Sequence, residues 1–162
     1  MKKGWIAQGI VFLCMLIFIG SFLRVPSNSK TPFGTVVTDS TKTLSLDDYT
    51  LEDNRGIRRF LGIDPSTYEA ITYYKNNDDM QASEIVVVQF KDNNQSSSFE
   101  EAMNKRIENQ NNIYASYLPK QATLVKNAVI YTQANYGIYV VNQNTDAILS
   151  SFKESLKKGE SK

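Results

Sequence analysis

Hydrophobic and polar positions divide the chain into one long apolar run and a series of shorter periodic stretches. Gly4 to Leu23 reads GWIAQGIVFLCMLIFIGSFL, twenty residues without a charge and with Gln8 as the one strongly polar side chain. A helix of that length rises about 30 Å, the thickness of a hydrocarbon core, and pairs its own backbone amides as lipid requires. Trp5 stands at the start of the run, Lys2 and Lys3 precede it, and Arg24 alone follows closely. The positive-inside rule then puts the N-terminus in the cytoplasm and the remainder outside, a single-pass protein of the cell membrane. Two other readings of the same run are a cleaved secretory signal and a lipoprotein acylated at Cys14. The run is long for a signal, whose apolar part is typically ~7–15 residues. Phe12 and Leu13 occupy the positions where a lipobox has small residues. All three readings export the rest of the chain.

Val25 to Thr43 carries two prolines, one glycine and many hydroxyl residues, the pattern of an extended spacer in which Val36 and Val37 offer at most a short strand. A helix is predicted near Leu51 to Leu61, with Thr50 and Asp53 as a capping box and Gly62 as C-cap. Glu69 to Lys75 and Glu84 to Lys91 read as strands, the second apolar on both faces and therefore central. The strongest helical period runs from Phe99 to Tyr117. Ser97 and Ser98 precede Glu100 and Glu101 there, and Phe99, Met103, Ile107, Gln110, Tyr114 and Tyr117 form the buried stripe. Thr123 to Thr132 and Tyr136 to Asn142 read as a hairpin joined through Gln133-Ala134-Asn135, with Gly137 marking a bulge. A last helix runs from Asn144 or Thr145 to about Leu156. The order α-β-β-α-β-β-α predicts an α+β fold: after the N-terminal transmembrane helix, a two-layer sandwich of a four-stranded antiparallel sheet with helices mainly on one face. The expected divisions are a membrane anchor over 1–24, a flexible linker over 25–43, an extracytoplasmic domain over 44–158 and a disordered tail over 159–162.

Composition narrows the chemistry. The 162 residues include no histidine and a single cysteine, Cys14, inside the apolar run. Imidazole bases, thiolate nucleophiles, disulfide frameworks and nearly all zinc sites are thereby removed from the domain. Taking Lys2, Lys3 and Arg24 from the 18 basic residues leaves 15 against 17 acidic, so the domain has no basic excess to hold nucleic acid. Nucleotide-binding glycine loops, metalloprotease and serine-hydrolase motifs are absent from the sequence.

From Asp48 to Leu156 the chain resembles a family of bacterial exported domains, the domain of unknown function 4358 family, common in Gram-positive bacteria. The resemblance rests on RRFLGID (Arg58 to Asp64), MQASEIVVVQFKD (Met80 to Asp92), MNKRIENQ (Met103 to Gln110), YLP (Tyr117 to Pro119), NAVI (Asn127 to Ile130) and NYGIYVV (Asn135 to Val141), in that order. It implies export and an α+β domain, on a chain that departs from the lipoprotein members by lacking a lipobox. It brings no activity, ligand or catalytic residue.

Several side-chain groups carry alternative readings. Arg106 and Gln110 lie one helical turn apart, placed either to grip a carboxylate or a partner's backbone, or to bridge the helix to the sheet. Arg55, Arg58 and Arg59 either bind an anionic polymer or headgroups, or compensate a helix dipole. Asp78, Asp79 and Glu84, and Asp47, Asp48, Glu52 and Asp53, are oxygen clusters without a calcium-loop motif and read as solvated loops. Tyr68, Tyr73, Tyr74, Tyr114, Tyr117, Tyr131, Tyr136 and Tyr139 serve either a recognition surface or the core. The candidate interaction surface is Arg106, Gln110, Asn135, Tyr136, Arg58 and Arg59; no catalytic, cofactor or metal residue is assigned. The expected function is that of a non-catalytic binding or interaction module of the bacterial cell envelope. Its partners are the membrane, through the N-terminal helix, and another envelope protein or wall component. The alternatives are a carboxylate- or serine-based envelope hydrolase and a ligand sensor.

Overall fold

A computed structural model describes residues 28–159. The expected anchor over 1–24, the first residues of the expected linker and the end of the tail lie outside the described residues. No helix among the described residues is long and apolar enough to cross a membrane.

Five strands form one antiparallel sheet in the order β1-β2-β3-β5-β4. They are β1 (Tyr49–Leu51), β2 (Ala70–Asn76), β3 (Glu84–Gln89), β4 (Val129–Gln133) and β5 (Tyr136–Val141). β3 sits in the middle because both of its faces are apolar: all residues from Glu84 to Val88 are buried. Alternation then sends Val86 and Val88 to one core and Ile85 and Val87 to the other. Tyr73 of β2 and Tyr139 of β5 flank Val86 in register, so the first core continues across three strands.

Helices cover both faces, which corrects the expected two-layer arrangement. On the Val86 face lie α2 (Asn54–Leu61), α3 (Gln95–Tyr114) and α4 (Pro119–Lys126), contributing Ile57, Leu61, Phe99, Met103, Ala122 and Val125. On the Ile85 face lie α1 (Phe33–Thr41) and α5 (Thr145–Lys158), contributing Val36, Val37, Ile148, Phe152 and Leu156. A central strand with two apolar faces needs two covering layers, and the four-stranded two-layer reading leaves the second face bare.

The segment expected as a spacer supplies that second layer. Val36 is fully buried, and the Ser40 and Thr41 hydroxyls donate to the carbonyls of Val36 and Val37 one turn back. Ahead of α1, the Ser29 hydroxyl donates to the Leu156 carbonyl at 2.7 Å and the Thr31 hydroxyl to the Ser155 carbonyl at 2.8 Å. These side chains satisfy carbonyls of the last turn of α5 that have no intrahelical partner. The fold thus begins by Ser29 rather than at 44.

Three local expectations also change. α2 starts after Asp53, whose carboxylate accepts from the Arg55 and Gly56 amides; Thr50 belongs to the edge strand β1, the fifth strand. Gly62 closes α2 in the left-handed region at φ 69°, as expected of a C-cap glycine. Pro119 opens α4 at its first position, so Thr123 to Lys126 is helical and β4 is confined to Val129–Gln133. Gly137 makes no bulge, because the β5 register runs through it unbroken. A Cβ there would stand 2.9 Å from Phe90 and 3.1 Å from Phe99, and the missing side chain makes room for those rings.

Candidate functional site

The buried charged side chains among the described residues, Glu84 and Arg106, meet beneath the end of α2, where α3 crosses β2, β3 and β5. Arg106 comes from the inner stripe of α3, with Phe99, Met103, Gln110 and Tyr114. Glu84 opens β3 and points to the same face as Val86. Their side chains are 7% and 3% exposed and pair at 2.7 Å. Arg106 Nε donates to Glu84 Oε1 at 2.9 Å and Nη2 to Oε2, a two-pronged contact. Tyr73 Oη donates to Oε2 at 2.6 Å and Tyr139 Oη to Oε1 at 2.9 Å. Four donors therefore meet a carboxylate with about four lone-pair sites.

The guanidinium is equally occupied. Besides its two bonds to Glu84, Nη2 reaches the Tyr73 oxygen at 3.2 Å and Nη1 the Phe60 carbonyl at 3.2 Å. Gln110, with its amide oxygen turned to the guanidinium, accepts from Nη1 at 2.8 Å. Burial works against the charged guanidinium, but the hydrogen bonds and charge of Glu84 outweigh it and raise the Arg106 pKa. Burial, reinforced by the Glu84 charge, pushes both Tyr73 and Tyr139 well above the ordinary tyrosine value. The tyrosines stay protonated and donate; they are not bases. This is a closed network, with its hydrogen-bonding capacity spent among α2, α3 and three strands.

The six residues of the expected interaction surface do not form one surface. Arg106 and Gln110 are buried in this network, so the grip on an external carboxylate is corrected to a bridge between helix and sheet. Tyr136 is fully buried on the opposite face, and its hydroxyl donates to the Thr31 carbonyl at 2.8 Å; burial pushes its pKa up to about 12. Asn135, at the tip of the β4–β5 hairpin, accepts from the Ser29 amide at 2.8 Å and donates to the Ser29 carbonyl at 3.1 Å. Arg58 and Arg59 are exposed near the end of α2. Arg58 pairs with Asp64 at 2.9 Å, and Arg59 lies 5.2 Å from the centre of the Phe60 ring. Of the eight tyrosines weighed as a recognition surface, Tyr68, Tyr73, Tyr114, Tyr136 and Tyr139 are buried, and Tyr117 is the one that is broadly exposed.

The acidic groups are dispersed in their pairings. Glu84 belongs to Arg106, and Asp79 pairs with Lys75 at 2.6 Å. Asp47, Asp48 and Asp78 border an open depression with Asn76, Asn77 and Gln81. Among the described residues no group of histidine, cysteine and carboxylate side chains is arranged to hold a metal ion. Sequence reasoning misses the partners of Arg106. The signal for them is a charged residue, Glu84, leading an otherwise apolar central strand, together with Arg106 falling on the 3–4 spacing of a buried stripe.

Architecture and network together define an α/β/α-layered, antiparallel α+β domain whose polar interior serves its own fold. The chain belongs to the DUF4358 family, a domain of unknown function, whose family model matches residues 42–142. Neither the curated proteins nor the solved structures contain a match.

Proposed function

We propose that the chain is a non-catalytic binding or interaction module displayed on the outer side of a bacterial membrane. The observation that carries this reading is the uncharged run from Gly4 to Leu23, preceded by Lys2 and Lys3, with a fold that begins by Ser29. Residues 24–28 separate the two and span at most about 18 Å when extended. A domain so tethered stays close to the bilayer, where its local concentration toward other surface components is raised. The inward-turned Arg106 network supports a binding role located on the outer surface rather than chemistry at a buried charge. The partner in this reading is another envelope protein or a wall component.

The test is a topology measurement on the full chain in intact cells. With Cys14 replaced by serine and Lys157→Cys introduced at an exposed position of α5, a membrane-impermeant maleimide should label whole cells, and the protein should sediment with membranes. Labelling that requires lysis, or recovery in the soluble fraction, overturns the placement.

A further inference from the structure

The two edges of the sheet are built differently. β1 has three residues, flanked by Asp47 and Asp48 before it and Glu52 and Asp53 after it, the charges that discourage strand pairing. β4 has five, Val-Ile-Tyr-Thr-Gln, and no charged residue occurs between Lys126 and Asp146. It contains neither proline nor bulge, and its register with β5 is regular from Val129 to Gln133.

The hairpin fixes which way its backbone points. Ala134 and Asn135 form a two-residue turn closed by the Gln133 and Tyr136 pair. The Asn135 carbonyl accepts from the amide of Phe90, the residue just after β3, so the alternating ladder turns Tyr136 toward β4 and Gly137 toward β3. By the same alternation Val129, Tyr131 and Gln133 face β5, and the N–H and C=O of Ile130 and Thr132 face outward. These four groups have no partner among the described residues. They are symmetric about Tyr131, so an antiparallel copy of the same strand would satisfy all of them, each Ile130 opposite a Thr132.

We propose that β4 pairs antiparallel with β4 of a second copy of this chain about a two-fold axis at Tyr131, joining two sheets into one. The pairing is isologous and closed, and it covers the one long neutral edge. The axis stands normal to the sheet and keeps both α1/α5 layers on one side. Ser29 of each copy emerges on that side, so both N-terminal runs can enter a single bilayer. Pairing through β4 does not depend on that placement. Lys153 lies 4.3 Å over its own Tyr131 ring. Pairing brings the two lysines to the same face, so added salt should strengthen it.

The experiment uses the purified full chain in nonionic micelles, whichever compartment the domain occupies in cells. In a Cys14→Ser background, Tyr131→Cys should crosslink under mild oxidation to twice the chain mass, since directly opposed residues of this kind lie within disulfide reach. Leu51→Cys, on the β1 edge, should not. Thr132→Pro should weaken dimerisation at least about tenfold by sedimentation while circular dichroism is unchanged, because the N–H it removes bonds to nothing within the protomer. Thr132→Lys, able to pair with Glu100, is the second variant should the proline disturb folding. A chain that stays monomeric at its highest soluble concentration overturns the proposal. So does a dimer that survives folded Thr132 variants, or equal crosslinking through Leu51→Cys.

Discussion

The two faces of the sheet are sealed by different physics. On the α3 side, a buried carboxylate, a guanidinium and two phenols are held among apolar side chains by bonds that allow one arrangement. On the α5 side the core is mainly aliphatic and aromatic with no buried charge among the described residues, and the hydroxyls of Ser29, Thr31, Ser40, Thr41 and Tyr136 each donate to a backbone carbonyl. The first face is specified by direction and the second by volume. Directional sites fail abruptly when one member is lost, whereas volume-filled ones degrade by degrees.

That contrast is most easily broken at Arg106. Arg106→Leu leaves Glu84 buried without its counter-charge and should cost about 3–5 kcal/mol in urea unfolding. The double variant with Glu84→Leu should recover part of that loss. Additive losses would mean that the two side chains act independently and that the directional account is wrong.

Alkaline titration sharpens the comparison. The folded-state pKa values of Tyr73, Tyr139 and Tyr136 lie above the ordinary value of 10.0. The stability they contribute is complete below pH 10 and is lost as pH rises through their folded values, about 12 for Tyr136. Unfolding free energy should therefore hold up to about pH 9 and then fall, at most about 1.4 kcal/mol per pH unit for each such tyrosine. Tyr73→Phe should remove one share of that slope. An unchanged slope would mean that the Tyr73 hydroxyl ionises as readily folded as unfolded.

The smallest effect belongs to the α5 face. Ile148→Val removes one methylene from a fully buried position with no hydrogen bond to disturb, and should cost about 0.5–1.5 kcal/mol by the same unfolding assay. A loss as large as that at Arg106 would erase the distinction between the faces.

Legibility in the sequence follows the same division. β3 and α5 are readable because a long uninterrupted period announces them. α1 is not, because Thr35, Val36, Val37 and Thr38 are β-branched, Gly34 lowers helix propensity further, and only packing against α5 makes the segment helical. The end of α4 reads as a strand on Thr123, Leu124 and Val125, although Pro119 stands at the position where a helix begins. In the stripe of α3, the pattern favours Ile107 over Arg106 as the inward residue, since a charge is seldom buried until its partner is known. That partner, Glu84, is 22 positions away and becomes visible only when the sheet sets it opposite the helix.

The layer formed by α1 and α5 has a practical consequence for anyone shortening the gene. A fragment trimmed to the family limits, 42 to 142, omits both helices and leaves Ile85, Val87, Ile138 and Val140 facing solvent as a greasy plane. Such a product should clump during expression, and its insolubility would say nothing about the natural polypeptide.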